Sequence, residues 1–267
     1  MKTIVRTTKA GSSGARPATP SPEEVSSYYD DWTAKYLEVF GTAIQAHRPT
    51  REEDLYDYLM RRAGLRDGKR ALDAGCGICG PGLYFAAHAG ITLEALTLSP
   101  VQARMARERI VQGGFADRVN VRIGDFHRLP ELYPREEFDV VYFLESLSHS
   151  PDPGRALAGV YEVLKPGGIV YIKDFFIKPC ATAEERRRVL RVIERVDRLF
   201  AVKTAEAGEI IGHLRSAGFL PVWVEPPQFQ VDNTRWQEFE REHRFDLFEG
   251  DDSFDWSQWL ELKFQKP

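Results

Sequence analysis

The chain has 267 residues, with 36 Lys and Arg against 40 Asp and Glu, a net charge of −4 and a hydrophobic share of 43%. That is enough to build one large α/β domain with a small cap, and it lacks the basic excess that nucleic-acid binding calls for. No apolar run approaches the roughly 20 residues of a membrane span, no signal-peptide stretch opens the chain, and an odd, sparse set of cysteines (Cys76, Cys79, Cys180) reads as reduced and cytoplasmic.

In chain order, residues 1–20 are rich in Gly, Ser, Thr and Pro and read as a flexible tail. Residues 21–66 read as a helical cap. Ser21 can cap a helix, Pro22 suits its first position and Glu24 completes a capping box. Val25, Tyr28 or Tyr29, Trp32, Tyr36 and Phe40 then recur at helical spacing. So many ring hydroxyls and an indole on one face are more than packing needs, which makes that face a candidate pocket wall. A second helix spans about Arg51 to Ala63.

Residues 67–267 alternate strand and helix. "KRALDAGCGICGPGLYFAAHAG" reads as strand, glycine loop and helix. The strand "ITLEALTLS", the helix "PVQARMARERIVQGG" and the strands "RVNVRIGDF" and "FDVVYFL" follow. Next come the helix "DPGRALAGVYEVLKPGG" and the strand "IVYIKDFF". The helix "AEERRRVLRVIERVDRLF" puts Val189, Ile193, Val196 and Phe200 on one face and its arginines in solvent. A helix at about Ala207–Ala217, the strand "FLPVWVEP", a helix near Trp236 and the strand "WSQWLELKF" complete the chain. The alternation predicts a mostly parallel, seven-stranded α/β sheet with helices on both faces.

Gly75, Gly77 and Gly80 form GxGxxG between a strand and a helix, a pattern that lets backbone approach a ligand closely. Asp73 stands two residues before the first glycine. A carboxylate there repels a pyrophosphate but tolerates an ammonium. The next strand ends in Thr97, where a dehydrogenase carries a ribose-binding acid, and the one nearby acid, Glu94, lies inside the strand. Cys76 and Cys79 form CxxC without a second pair or His at zinc spacing, so no metal site is assigned.

"DAGCGxxGPG" with "GDFHRLP" and "VLKPGG" resembles the class I S-adenosylmethionine-dependent methyltransferases, over roughly Tyr28 to the last strand. The resemblance implies their Rossmann-like fold and their cofactor. It assigns Asp73, Gly75, Gly77 and Gly80 to the methionine part and sugar, Thr97, Leu98 and Gln102 to the cofactor loop, and Asp125 and Phe126 to the adenine. "YYDDWTAKYLEVFG", "LTLSPVQ" and "LESLSHSPDPGRALAGVYEVLKPGG" are similar, in chain order, to segments of the branch that methylates carbon–carbon double bonds. That branch holds sterol and prenyl-diphosphate C-methyltransferases and cyclopropane lipid synthases.

Alkene methylation creates a carbocation that must be stabilised and then deprotonated. Glu145, directly after the fourth strand, lies where open α/β sheets bind ligands, and is assigned to the cation. His149 is a base or proton relay. Tyr28 joins them as a catalytic candidate, with Trp32, Tyr36, Phe175, Phe176 and Trp236 as substrate-binding rings. The partner implied is a small isoprenoid molecule, either a prenyl diphosphate or a prenylated compound. A diphosphate would call for Mg2+ or for Arg48, Arg51, Lys173 and Lys178, none of which forms a phosphate motif. Oxygen or nitrogen methylation of a small natural product with His149 as base is the alternative, and a cofactor-binding subunit without catalysis a third. Oligomeric state is left open, including a homo-oligomer in which one chain's first helix covers a neighbour's pocket.

Overall fold

The computed structural model describes residues 19–243 and 255–267. The expected tail, residues 1–20, lies outside them but for its last two positions. Helix α1 (Pro22–Phe40) starts as its sequence dictates. Glu24 N–H donates to Ser21 Oγ at 3.2 Å and Ser21 N–H to Glu24 Oε2 at 2.7 Å, a complete capping box. An eleven-residue linker leads to α2 (Glu52–Ala63). Then follow β1 (Arg70–Ala74), α3 (Gly80–Ala89), β2 (Thr92–Thr97), α4 (Pro100–Gln112), β3 (Val119–Ile123), the single turn α5 (Leu129–Leu132), β4 (Phe138–Leu144), α6 (Pro153–Val163) and β5 (Leu164–Ile177). The chain ends in α7 (Ala183–Phe200), α8 (Ala207–Ser216), β6 (Leu220–Glu225), α9 (Thr234–His243) and β7 (Ser257–Gln265).

Among the described residues these strands form one seven-stranded sheet, in the order β3-β2-β1-β4-β5-β7-β6. β7 runs antiparallel to both its neighbours and the remaining pairs are parallel. The predicted α/β sandwich is what forms. β4 explains why. Its run is apolar throughout because both faces are covered. Val140, Tyr142 and Leu144 pack with α2, α3 and α4, while Val141 and Phe143 pack with α6 and α8. One boundary differs from the sequence reading. "LKPGG" belongs to β5 and not to the preceding helix. Phe138 pairs with Leu164 and Val140 already with Ile169, so Lys165–Gly168 bulge out, with Gly167 at φ +76°.

The segment expected to form one cap divides in two. α2 buries Leu55, Leu59 and Ala63 in the sheet's own core. α1 instead crosses the carboxyl ends of the strands. Ser26 Oγ donates to Leu98 O at 2.9 Å, and Asp30 accepts from Ser99 Oγ and from Val101 N–H, at the start of α4. Its aromatic face meets Val192, Val196 and Phe200 of α7 and Phe239 of α9 in a separate apolar cluster. α7 buries the four predicted residues and leaves Arg187, Arg191 and Arg198 exposed.

Candidate active site

Two chambers open at the carboxyl ends of the central strands. The first is a cleft lined by Asp73, Gly75, Gly77, Thr97, Leu98, Gln102 and Phe126, and roofed by Pro22, Val25 and Tyr29 of α1. Its floor depends on glycine. Gly75 sits at φ +121° with Ser146 so close that a Cβ would run into that side chain, whose hydroxyl donates to Ala74 O at 2.7 Å. Gly77 is also left-handed, at φ +53°. Thr97 Oγ1 donates to Gln102 Oε1 at 2.8 Å and accepts from Ser99 N–H at 3.2 Å, closing the turn into α4. Phe126 packs edge-on to Phe143.

Asp73 is 2% exposed, and burial pushes its carboxyl up to about 7 while neighbouring Tyr142 pulls the other way. An ammonium brought beside it favours the charged form. This donor set suits the amino-acid end of S-adenosylmethionine, with Thr97, Leu98, Gln102 and Phe126 available to its sugar and base. Two assigned residues stand elsewhere. Gly80 does not line the cleft; it lets α3 start under the linker, where a Cβ would strike Thr42 O. Asp125 caps the following turn instead of facing the cleft. Burial raises its pKa, but hydrogen bonds from the His127 ring and backbone outweigh it and hold it below the usual carboxylate range. Glu94 is bound by Arg70 at 3.2 Å and Asn120 at 2.8 Å, away from the cleft.

The second chamber is a cavity of about 820 Å³. Tyr28, Tyr36 and Phe40 of α1, Phe175 of β5, Phe200 of α7, Trp236 of α9, and Trp256 and Trp259 of the last segment wall it. The two consecutive phenylalanines part company because strand residues alternate faces. Phe175 faces the cavity between Trp256 and Trp259, whereas Phe176 is 2% exposed in the core under α8. Trp32 does not line the cavity either; it lies behind Tyr28 and Tyr36 and carries Lys35 Nζ 4.0 Å from its ring centre. Tyr28 is a wall residue whose hydroxyl bonds Tyr36, and it stands apart from the cleft.

Among the described residues, five line both chambers: Tyr29, Ile44, Gln45, Glu145 and His149. A group passed from one chamber to the other crosses here. Sequence reasoning named Glu145, His149 and Tyr28 as the catalytic group, but helix phase puts Tyr29, not Tyr28, on the boundary that the two chambers share. His149 Nδ1 lies 2.8 Å from Ala201 O. A carbonyl can only accept, so Nδ1 carries the proton and Nε2 is the bare nitrogen, which accepts from the Tyr29 hydroxyl at 2.8 Å. Ala201 presents that carbonyl from a left-handed residue at the end of α7 (φ +51°). Burial pushes His149 down to about 4, against the pull of that carbonyl, so the ring is neutral at pH 7.

Glu145 is left-handed too, at φ +57°, an uncommon conformation for a side-chain-bearing residue and one that gathers at functional sites. Its carboxylate is fully engaged. Ala46 N–H donates to Oε2 at 2.7 Å, His47 N–H to Oε1 at 3.4 Å, and the buried ammonium of Lys173 pairs with Oε1. Lys173 also donates to Gln45 Oε1 at 3.0 Å and His47 O at 2.7 Å. In the run "GTAIQAHRPTR" the sequence singled out only Arg48 and Arg51, and nothing announced Gln45, Ala46 and His47 as part of the site. Its register against the strand ends is a tertiary property.

The four cations considered for a diphosphate are elsewhere or occupied. Arg48 is 2% exposed and donates to Phe40 O and Ala43 O at 2.7 and 2.8 Å, stapling the end of α1. Lys173 is saturated as above, Arg51 is exposed at the start of α2, and Lys178 pairs with Glu185 and Asp255. Among the described residues, Arg241 is the one Lys or Arg lining the cavity, beside Glu145, Glu240 and Asp255. Also among the described residues, no cluster of three or more His, Cys, Asp and Glu could hold a metal. No described helix is long and apolar enough to cross a membrane.

A parallel sheet ending in a glycine cleft with a buried carboxyl, adjoined by a second chamber, defines a Rossmann-like transferase site. Residues 72–172 match a methyltransferase domain model. The chain is 31% identical over 216 residues to 27-O-demethylrifamycin SV methyltransferase of Amycolatopsis mediterranei (strain S699), covering 77% of each. It is 28% identical over 184 residues to a sterol 24-C-methyltransferase of Pneumocystis carinii, covering 68% of this chain but only 46% of the relative. The chain thus spans about half the length of that sterol enzyme. Geranyl diphosphate C-methyltransferase of Streptomyces coelicolor A3(2), solved with Mg2+, geranyl diphosphate and S-adenosyl-L-homocysteine, superposes with a TM-score of 0.70 at 16% identity, over 95% of this chain and all of that one. The chain belongs to the class I S-adenosylmethionine-dependent methyltransferases, with C-methyltransferases among its relatives.

Proposed function

We propose that this enzyme methylates a carbon–carbon double bond in the isoprenoid part of an apolar small molecule. The observation that carries the reading is the aromatic cavity of about 820 Å³ meeting the cofactor cleft at Tyr29, Glu145 and His149. S-adenosylmethionine, when bound, supplies an electrophilic methyl. An alkene attacked there becomes a carbocation, and a cation over ring faces in a dry pocket gains roughly 2 kcal/mol or more. Tyr28, Tyr36, Phe175 and Trp259 provide such faces, and α1 walls one side of the cavity against the water that would quench the cation. Glu145 adds less, because Lys173 already balances its charge. The proton released from the adjacent carbon passes to Tyr29 Oη as Tyr29's own proton moves to His149 Nε2, the one bare basic nitrogen in that pair.

The cavity lining favours a prenylated or otherwise isoprenoid molecule without a diphosphate, since its described charges are mainly carboxylates. A prenyl diphosphate with Mg2+ is the weaker form of the reading. A second reading, methylation of a hydroxyl, is favoured by the same Tyr29–His149 pair, which would take the hydroxyl proton, and by the O-methyltransferase name of the rifamycin relative.

The test is mass spectrometry of products formed with methyl-labelled S-adenosylmethionine. A prenylated indole, a sterol with a side-chain alkene, a polyketide alcohol, and geranyl and farnesyl diphosphate with Mg2+ are offered in parallel. Label on carbon of the indole or sterol substrate is the expected result. Label confined to oxygen replaces the first reading by the second. Label on a diphosphate overturns the choice of substrate.

A further inference from the structure

Gln45, Ala46 and His47 are tied to Glu145 after β4 and Lys173 of β5 by four side-chain hydrogen bonds, and a fifth joins Lys173 to Glu145. Two backbone N–H groups, of Ala46 and His47, go to the Glu145 carboxylate, and the Lys173 ammonium goes to Gln45 Oε1, His47 O and Glu145 Oε1. An ammonium has three donors and no acceptor, so all its capacity is spent here, and it turns the Gln45 amide oxygen inward. Lys173 is 0% exposed. Glu145 N–H closes the unit by donating to Lys173 O at 2.7 Å. Gln45 lines both chambers, and the His47 ring stacks on Trp259 in the cavity wall, centroids 4.7 Å apart.

We propose that Lys173 is a positioning residue for methyl transfer, which locks Glu145 and, with it, pins residues 45–47 as the partition between cofactor cleft and substrate cavity. Glu145 is then the anchor of that partition and not the proton acceptor. A buried ion pair is a poor source of net stability compared with apolar residues, and one well-attested use for it is to fix a single arrangement. The inference rests on the methyltransferase reading of the two chambers but not on the choice of substrate.

The experiment compares Lys173→Met, Glu145→Gln and the double variant with wild type. Hydrogen exchange at the Ala46 and His47 amides is measured alongside S-adenosylhomocysteine affinity by calorimetry and turnover of whichever panel substrate wild type accepts. Each single variant is expected to speed exchange at those two amides and to lower kcat about 100-fold, as a misplaced reacting geometry does, with S-adenosylhomocysteine affinity within about threefold of wild type. The double variant, neutral and free of an orphaned charge, is expected to be no slower than either single. If a single variant fails to fold, the double variant and Lys173→Arg, expected to restore slow exchange, carry the comparison. Wild-type turnover in Lys173→Met with none in Glu145→Gln would overturn the proposal, because Glu145 would then act by itself. Unchanged exchange in both singles would also overturn it. If wild type accepts no panel substrate, the substrate reading has failed, and the exchange data alone decide for or against the partition.

Discussion

The cofactor cleft and the substrate cavity are built in opposite ways. The floor of the cleft is made by short turns that directly follow β1, β2, β3 and β4, with α1 and the linker laid over it as a roof. Its shape depends on backbone: left-handed glycines, a hydroxyl under a carbonyl, a threonine closing a turn. The cavity is assembled from α1, the linker, α7, α9 and β7, and its shape depends on side chains stacked over long sequence distances. A cleft of the first kind tolerates almost no change in size. A cavity of the second kind can be retuned ring by ring, which is how one fold serves different substrates.

The variant expected to break the comparison hardest is Gly75→Val. Its side chain meets Ser146 and its φ is foreign to a branched residue. S-adenosylhomocysteine binding by calorimetry is expected to vanish, with circular dichroism reporting how much of the fold survives. Next come the residues shared by both chambers. Tyr29→Phe and His149→Gln are each expected to lower kcat roughly 10²–10³-fold, in the range of lost proton transfer, while leaving cofactor affinity near wild type. Equal kcat in Tyr29→Phe would mean that His149 takes the proton unaided.

The two neighbouring phenylalanines sharpen the contrast within the substrate side. Phe176→Ala opens a hole in the closed core and is expected to cost about 3–5 kcal/mol in urea unfolding. Phe175→Ala removes a cavity wall and is expected to raise KM with a much smaller loss of stability. For the cleft, Asp73→Asn tests a charge. The folded carboxyl keeps its proton to about pH 7, whereas the unfolded chain releases it near 3.8. The folded state therefore binds more protons in that window, and this group's contribution to stability falls as pH rises through it. Ligand-free Asp73→Asn is expected to gain on wild type in melting temperature from about pH 4 to pH 7 and then hold its lead, while binding S-adenosylmethionine more weakly. The smallest effect is expected from Arg51→Ala. The side chain is 69% exposed, and stability by thermal melting should stay within about 0.5 kcal/mol. A raised KM for a diphosphate substrate in that variant would bring Arg51 back into the site.

Much of this protein is legible in its sequence because the deciding interactions are local. The capping box of Ser21 and Glu24, the glycines after β1, the apolar run of β4 and the one-sided helix α7 each follow from residues a few positions apart. The buried carboxyl of Asp73 is legible for the same reason. What the sequence could not decide is which members of a local pattern face the ligand. Gly80 belongs to the same motif as Gly75, yet its missing Cβ makes room for Thr42, from a segment far upstream. Phe175 and Phe176 look alike until the sheet assigns them to opposite faces. Tyr28 and Tyr29 differ by one step of helix phase, and only the docking of α1 over the strand ends brings Tyr29 to His149. Glu145 shows the limit most clearly. Its place after β4 marked it as important, but its partners come from β5 and from a linker about a hundred residues earlier. Local periodicity and turn chemistry determine the elements and the cofactor cleft, and the class of reaction is implied by the resemblance of the motifs to a family. The pairing of distant charges, and the choice of rings that close a cavity, arise only when long-range packing has brought those segments together.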